Sequence, residues 1–178
     1  MTSDAGERGS TPRNAPHRSG ARVLRRSGSA RPFGLRISLR SSGRLRSTER
    51  AAHPNAALLR AHLDALARGD VAAALSFYSD DVIFHYPGAN PLSGEHRGKA
   101  AVLELLGRVM AITRGRFHPD VHDILASDDH VAALVTVRAE RDERKVEWKS
   151  IDLFHVRDGK LSEHWVQLDQ DAVDRFFS

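Results

Sequence analysis

The chain has 178 residues, of which 40% are hydrophobic, 28% are charged and none is cysteine. This size fits one domain or one domain with a tail, and the lack of cysteine excludes disulfide bonds, thiolate zinc sites and cysteine nucleophiles. The formal net charge of +4 is unevenly divided, because residues 1–50 hold 12 arginines and three acidic residues, whereas residues 51–178 have a net charge of −5.

Residues 1–50 are rich in arginine, serine and glycine, and Phe33 is their single aromatic residue. Such a composition offers too little apolar surface to offset the entropy of ordering, so it predicts a disordered tail. Three interpretations stay open: a solvated tail without a specific function, translation from upstream of the true start, and an arginine arm that contacts phosphates. The segment has no apolar stretch of the kind that a secretory signal needs, and we therefore expect a cytoplasmic protein.

Residues 51–178 form the predicted domain, which begins with helices. Leucines recur at helical spacing after Pro54, which suits a first helical turn. Gly69 then suits a helix end, and Asp70 suits the N-cap of a second helix. The predicted segments are helix 54–68, helix 71–77, strand 82–86 and helix 99–112.

The apolar pattern changes to a period of two after residue 116, which is typical of strands. Asp158-Gly159 lies between two such runs and predicts a tight hairpin turn. Helices followed by an antiparallel meander indicate an α+β fold with the helices on one face of a curved sheet. The predicted segments are strands 117–126, 131–140, 145–156 and 160–168, and a terminal helix 171–177.

A series of short motifs follows the same order. They are Gly69-Asp70, Tyr78-Ser-Asp-Asp81-Val, Gly94 to Gly98 before a helix, Ile151-Asp-Leu-Phe154, and Gly159-Lys160 to Trp165. This series resembles the SnoaL-like branch of the nuclear transport factor two superfamily, which also holds ketosteroid isomerase, limonene epoxide hydrolase and polyketide cyclases. The resemblance implies a cone-shaped, curved antiparallel sheet wrapped around N-terminal helices, an apolar pocket open at one end, and a homodimer.

The hairpin at Asp158-Gly159 allows the pocket-facing side chains to be predicted. If the two strands stay in register from the turn, Asp152 pairs with Trp165, and alternate residues share its face. That face mixes aromatic rings with carboxylates, which is typical of a ligand cavity. The substrate contacts that we predict are Trp148, Phe154, Trp165, Glu163 and Gln167.

Asp152 is the first candidate catalytic residue. In the ketosteroid isomerase pattern, the aspartate of the matching Ile-Asp-x-Phe strand is a protonated donor to a developing oxyanion. An apolar setting raises the pKa of a carboxyl group and keeps it neutral. The alternative is a structural carboxylate that is hydrogen-bonded to a neighbouring strand or to a tryptophan N–H.

Three further catalytic candidates come from the same resemblance. His62 matches the isomerase's first-helix tyrosine and is suited to moving protons near neutral pH. Tyr86 matches its general-base aspartate, but a phenol is a poor base, which disfavours steroid-type isomerisation. Asp169 ends a Trp-x-x-x-Asp segment like that of polyketide cyclases, where the aspartate is an acid/base. The alternatives are a structural helix histidine for His62 and an N-cap of the last helix for Asp169.

Metal and cofactor sites are not expected. His118 and His122 would lie about 13 Å apart on a strand, too far to bind one ion. We therefore predict a cofactor-independent acid/base enzyme of the isomerase, cyclase or hydrolase type, acting on a hydrophobic oxygenated substrate. The alternative is a non-catalytic ligand-binding or dimerisation module. The predicted partners are a small hydrophobic molecule and a second copy of the chain, without nucleic acid or membrane.

Overall fold

The computed structural model describes residues 37–39 and 53–178. These residues form an α+β fold, as the sequence predicts. The helices are α1 (Pro54–Ala67), α2 (Val71–Ser76), α3 (Gly98–Thr113) and α4 (Gln170–Phe177). The strands are β1 (Ser38–Leu39), β2 (Tyr78–Tyr86), β3 (Gly94–Arg97), β4 (Phe117–Ala126), β5 (His130–Arg141), β6 (Arg144–Arg157) and β7 (Lys160–Leu168).

The first two helices begin where the sequence places them. Pro54 occupies the first turn of α1, where its lack of an N–H costs no helical hydrogen bond. The Asp70 side chain accepts a hydrogen bond of 3.0 Å from the Ala73 N–H at the start of α2. The first-turn proline of α1 and the Asp70 cap of α2 are both local signals, which is why the sequence alone predicts them.

The strands form one sheet in the order β1-β4-β5-β6-β7-β2-β3. The long strands β4 to β7 are antiparallel neighbours, as predicted, whereas β2 pairs with β7 and β1 with β4 in parallel. The sheet is curved and not closed, so it can hold helices against one face. β3 was not predicted from the sequence, because it has four residues and none of them is buried.

The strand β1 lies inside the segment that the sequence predicts to be a tail. Its Ser38 pairs with Asp120, and Leu39 pairs with Val121. These two residues therefore pair with the edge of β4. The remainder of residues 1–50, with the three interpretations of that segment, lies outside the described residues.

The turn between β6 and β7 forms as predicted. Asp158 and Gly159 both have a positive φ, at 53° and 68°, as a two-residue hairpin turn of the primed type requires. The register, however, changes soon after the turn. Val156 still pairs with Leu161, but His155 pairs with Glu163, so Ser162 is an extra residue in β7.

This β-bulge reverses the predicted orientation of β7. Beyond Ser162, Asp152 pairs with Val166 rather than with Trp165. Since side chains alternate along a strand, a shift of one residue moves every later side chain to the other face. The predicted faces are therefore correct for β6 and wrong for β7.

The core lies between the helices and the inner face of the sheet. Leu59 of α1 and Leu105 of α3 are almost fully buried there. At one end, α4 packs on the sheet through the ring of Trp148, whose centroid lies 6.3 Å from that of Phe176 and 6.4 Å from that of Phe177. No helix within residues 53–178 is long and apolar enough to cross a membrane.

Candidate active site

A cavity of about 130 Å³ lies between α1, α3 and the inner face of the sheet. One side is apolar and is formed by α3, β4 and β5. Its residues include Leu105, Leu106, Val109, Met110, Val121 and Val135. The other side carries the polar groups of α1, β2, β6 and β7, which are His62, Tyr78, Tyr86, Ser150, Asp152 and His164.

Asp152 lies on the cavity wall in the middle of β6. Its side chain is 27% exposed, but its Oδ1 atom is fully buried and has no hydrogen-bond partner. Burial raises the pKa of this carboxyl group to about 6, although the hydroxyl of Ser150 counteracts part of the effect. The predicted direction of the pKa change is therefore correct. Its size is not sufficient for the predicted role, because a pKa of about 6 leaves roughly nine in ten carboxyl groups ionised at pH 7.

His164 faces Asp152 from the neighbouring strand β7. Its ring is stacked on that of Phe154, with centroids 3.9 Å apart, and the ring of Phe84 lies tilted against it at 4.0 Å. Its Nε2 atom is buried without a hydrogen-bond partner and lies 3.8 Å from Oδ2 of Asp152. That distance is too long for a hydrogen bond, but a small movement would make one.

Tyr78 holds the other ring nitrogen of His164. The Tyr78 hydroxyl lies 3.3 Å from Nδ1 of His164, and burial raises the pKa of the hydroxyl well above its ordinary value. Burial also lowers the pKa of His164 well below its ordinary value, so the imidazole is neutral at pH 7. Since Nε2 faces a carboxylate, the ring hydrogen belongs on Nε2, and Nδ1 accepts from Tyr78.

His62 reaches the cavity from α1. Its side chain is buried, and Nδ1 donates a hydrogen bond of 3.0 Å to the carbonyl oxygen of Ala74. This bond leaves Nε2 without a hydrogen, as an acceptor. Burial lowers the pKa of His62 to about 4, so it too is neutral at pH 7. The predicted proton shuttle near neutrality is therefore wrong, since neither histidine takes up a proton there.

Tyr86 ends β2 at the cavity wall. Burial is the main reason that its pKa lies above the ordinary value, and the charges of Asp152 and Asp174 add to the effect. The hydroxyl therefore stays protonated and can donate a hydrogen bond to an oxygen atom in the cavity. A general-base role for Tyr86 is excluded on the same ground.

The structure brings five of the nine predicted site residues to the cavity. They are Asp152, His62, Tyr86, Trp148 and Phe154. All five lie on α1, β2 or β6, where the predicted face or position is correct.

The three predicted contacts on β7 lie on the outer face of the sheet. Trp165 is stacked on His85, with parallel rings whose centroids are 5.4 Å apart. Glu163 accepts a hydrogen bond of 2.7 Å from Nε2 of the same histidine. Gln167 is exposed. The bulge at Ser162 accounts for all three errors, because it turns these side chains away from the cavity.

Asp169 is also wrong as a cavity residue. It is exposed at the end of β7, and its Oδ1 accepts a hydrogen bond of 3.2 Å from the Ala172 N–H. The side chain therefore caps α4, which is the alternative that the sequence leaves open.

His164 and Tyr78 were missed by the sequence analysis. The register from the turn placed His164 on the outer face, and Tyr78 precedes the predicted strand. A local signal for His164 exists, because Val166 and Leu168 share its face and are apolar, whereas Glu163 and Gln167 alternate with them. That pattern within β7 indicates the correct face without any assumption about the turn.

The cavity wall contains no arginine or lysine among the described residues. Arg138 forms an ion pair of 2.7 Å with Glu147 and is more than half exposed. No cluster of three or more potential metal ligands occurs in the described part of the chain.

Comparison with known proteins identifies relatives of this region. The sequence profile of the SnoaL-like domain matches residues 59–164. An uncharacterized protein of Mycobacterium tuberculosis, Rv0034, is 30% identical over 106 residues, which is 59% of this chain and 81% of the mycobacterial one.

Two solved structures share the fold. A protein of unknown function with a cystatin-like fold from Xanthomonas campestris is 34% identical, with a TM-score of 0.61, over 68% of this chain and 96% of that one. A nuclear transport factor two-like protein from Burkholderia xenovorans is 23% identical, also with a TM-score of 0.61, over 70% and 96% of the two chains. The second likeness concerns the fold alone.

Proposed function

Because the chain belongs to the SnoaL-like domain family, we propose that its cavity is an active site for acid/base chemistry on a small hydrophobic molecule that carries oxygen. The observation that supports this most strongly is the position of Asp152. It is the one carboxyl group among the described residues of an otherwise largely apolar wall, and its pKa is raised to about 6 by burial. A base works best when its pKa lies near the working pH.

Asp152 would act as the base, and the hydroxyl groups would act as donors. The ionised carboxylate takes a proton from a carbon atom next to a carbonyl group. The negative charge then moves to the carbonyl oxygen, which accepts a hydrogen bond from a protonated hydroxyl such as that of Tyr86. Return of the proton from Asp152 to another carbon atom gives an isomer. Alternatively, the deprotonated carbon attacks a second carbonyl group and closes a ring, and the oxygen of that group takes the proton from Asp152.

This assignment exchanges the roles that the family resemblance implies for Asp152 and Tyr86. Their environments decide the exchange. Asp152 is mostly ionised at pH 7 and so accepts a proton, whereas burial keeps the Tyr86 hydroxyl protonated at any physiological pH. His164 stabilises the Asp152 carboxylate, since its Nε2–H lies 3.8 Å from Oδ2.

Proton transfer can be measured before a natural substrate is known. We expect the protein to exchange the hydrogens next to the carbonyl of cyclohexanone for deuterium in D₂O, followed by proton NMR. Asp152→Asn removes the base and should lower the rate about 100-fold or more, since a positioned acid/base group contributes about 10²–10⁴-fold. The wild-type rate should rise with pH and reach half its maximum near pH 6, where the carboxyl group ionises.

The matched control is Asp169→Asn, which changes a carboxylate to an amide outside the cavity. It should leave the exchange rate unchanged. If Asp152→Asn exchanged as fast as the wild type, Asp152 would not be the base. If the wild type bound the ketone but caused no exchange, the cavity would bind a ligand without catalysis, which is the alternative function.

A further inference from the structure

The size of the cavity limits what it can hold. Its volume is about 130 Å³. Engineered protein cavities of about 150 Å³ bind benzene, so a space of this size is filled by one six-membered ring. The side chains that line the apolar side come from the helix and from the sheet, and include Leu106 and Met110 of α3 and Val135 of β5.

The charges around the cavity limit the ligand in a second way. Asp152 is the one acidic residue among the described lining residues, and no lysine or arginine accompanies it. His62 and His164 are neutral at pH 7, because burial lowers both pKa values. A carboxylate or phosphate group in the cavity would therefore be desolvated beside a negative charge, without any cation to offset it.

The polar groups occupy one side of the cavity. Asp152 and His164 lie on neighbouring strands, and each has a buried polar atom without a partner, Oδ1 and Nε2. The Asp152 atom is an acceptor and the His164 atom is a donor, so together they suit an oxygen atom that accepts from one and, if it is a hydroxyl, donates to the other. The other carboxylate oxygen, Oδ2, lies 3.8 Å from Nε2, so a hydroxyl that accepts from Nε2–H is within reach of the carboxylate as its acceptor.

We infer that the ligand of this cavity is a neutral molecule with a single ring, or an aliphatic molecule of the same size, that carries one hydroxyl or carbonyl oxygen. A hydroxyl oxygen lies between Asp152 and His164, whereas a carbonyl oxygen accepts a hydrogen bond from the hydroxyl of Tyr86. In both cases the ring packs against the apolar side chains of α3 and β5. This inference rests on the proposed function in that both assign the same cavity. Its test measures binding and does not need turnover.

Binding of four ligands tests the effect of ligand size separately from the effect of ligand charge. Phenol is the expected class, 2-naphthol adds a second ring, benzoate adds a negative charge, and benzamide has the shape of benzoate without the charge. Dissociation constants for the full-length protein at pH 7 can be measured by NMR titration. We expect phenol to bind at least tenfold more tightly than 2-naphthol, and benzamide at least tenfold more tightly than benzoate.

Two matched variants locate the binding site. Ala133 pairs with Asp152 and its side chain lines the cavity, whereas Ala132 is its neighbour on β5 and points to the outer face. Ala133→Leu should fill the cavity and weaken phenol binding at least tenfold, and Ala132→Leu should not change it. Thermal melting of both variants checks that they fold.

The comparison of ligands on the wild type decides the inference even if Ala133→Leu fails to fold. Equal binding of benzoate and benzamide would overturn the charge argument, and equal binding of phenol and 2-naphthol would overturn the size argument. Absence of phenol binding, or unchanged binding in a folded Ala133→Leu variant, would remove the inference altogether. Phenol binding without proton exchange in cyclohexanone would contradict the proposed function and leave the ligand class intact.

Discussion

At the scale of single residues, Asp152 combines burial with one carboxylate oxygen that has no hydrogen-bond partner. Its Oδ1 atom accepts no hydrogen bond, and no cation among the described residues lines the cavity beside it. The hydroxyl of Ser150 stabilises the carboxylate in part, and the neutral N–H of His164 lies 3.8 Å from Oδ2. An ionised carboxyl group in such a place costs stability, and active sites commonly carry costs of this kind.

The cost can be measured with Asp152→Asn. The pKa of Asp152 is raised from 3.8 to about 6, so the unfolded state releases its proton at a lower pH than the folded state. Folding stability is therefore reduced as the pH rises from about 4 to 6, by about 3 kcal/mol in all. We expect Asp152→Asn to be more stable than the wild type at pH 7 by up to this amount, and the difference to vanish near pH 4. Urea unfolding at several pH values measures it, and a variant less stable than the wild type at pH 7 would contradict the assignment.

At the scale of secondary structure, the bulge in β7 decides which side chains reach the cavity. Ser162 is the extra residue, and its hydroxyl donates a hydrogen bond of 3.2 Å to the carbonyl oxygen of His155. Without the bulge, Glu163 and Trp165 would face the cavity. With it, His164 faces Asp152, and Trp165 stacks on His85 outside. One inserted residue therefore replaces a carboxylate and an indole by an imidazole in the site.

The end of β7 provides a test at the same scale, since Asp169 caps α4 by accepting from the Ala172 N–H. Loss of such a cap costs about 1 kcal/mol. We expect Asp169→Ala to lower the free energy of unfolding by about that amount, and Asp169→Asn, which keeps an acceptor oxygen, to lower it less. Ligand binding and proton exchange should stay at the wild-type level in both. A loss of exchange with unchanged stability would return Asp169 to the list of catalytic residues.

At the scale of the molecule, two buried neutral histidines control the response to acid. The pKa of His62 is lowered from 6.5 to about 4, and that of His164 is lowered in the same direction. Their contribution to stability is complete above pH 6.5, where both states are neutral, and is lost as the pH falls toward 4, because the unfolded chain binds protons first. Asp152 acts in the opposite direction, because it increases the folding stability as the pH falls from 6 to about 4. This single carboxyl group offsets only part of the effect of the two histidines.

We therefore expect the free energy of unfolding to decrease between pH 7 and pH 4.5. His62→Asn removes one of the two proton-binding groups and should make the decrease smaller, whereas His130→Asn changes an exposed histidine and should not. Urea unfolding across this range measures the slope for each protein. A wild-type stability that stayed constant or rose toward pH 4.5 would show that the histidines do not dominate.

Much of the fold follows from local patterns. The caps of α1 and α2, the turn at Asp158-Gly159 and the alternation of β6 each depend on a few consecutive residues, and each was predicted correctly. The short strand β3 and the pairing of Ser38–Leu39 with β4 were not predicted. Both depend on a neighbouring strand, and a segment of two to four residues carries no periodic signal of its own.

The sequence by itself determined the class of fold, the family and the inward position of Asp152, because hydrophobic period, turn residues and motif order are properties of adjacent residues. The tertiary structure alone decided the partner of that carboxylate. Since the bulge at Ser162 shifts the register of β7 by one residue, His164 and not Trp165 lies beside the carboxylate of Asp152. Burial between packed elements, which no short stretch of sequence encodes, then set the protonation of Asp152, Tyr86 and the two histidines, and with it the chemistry that the cavity can perform.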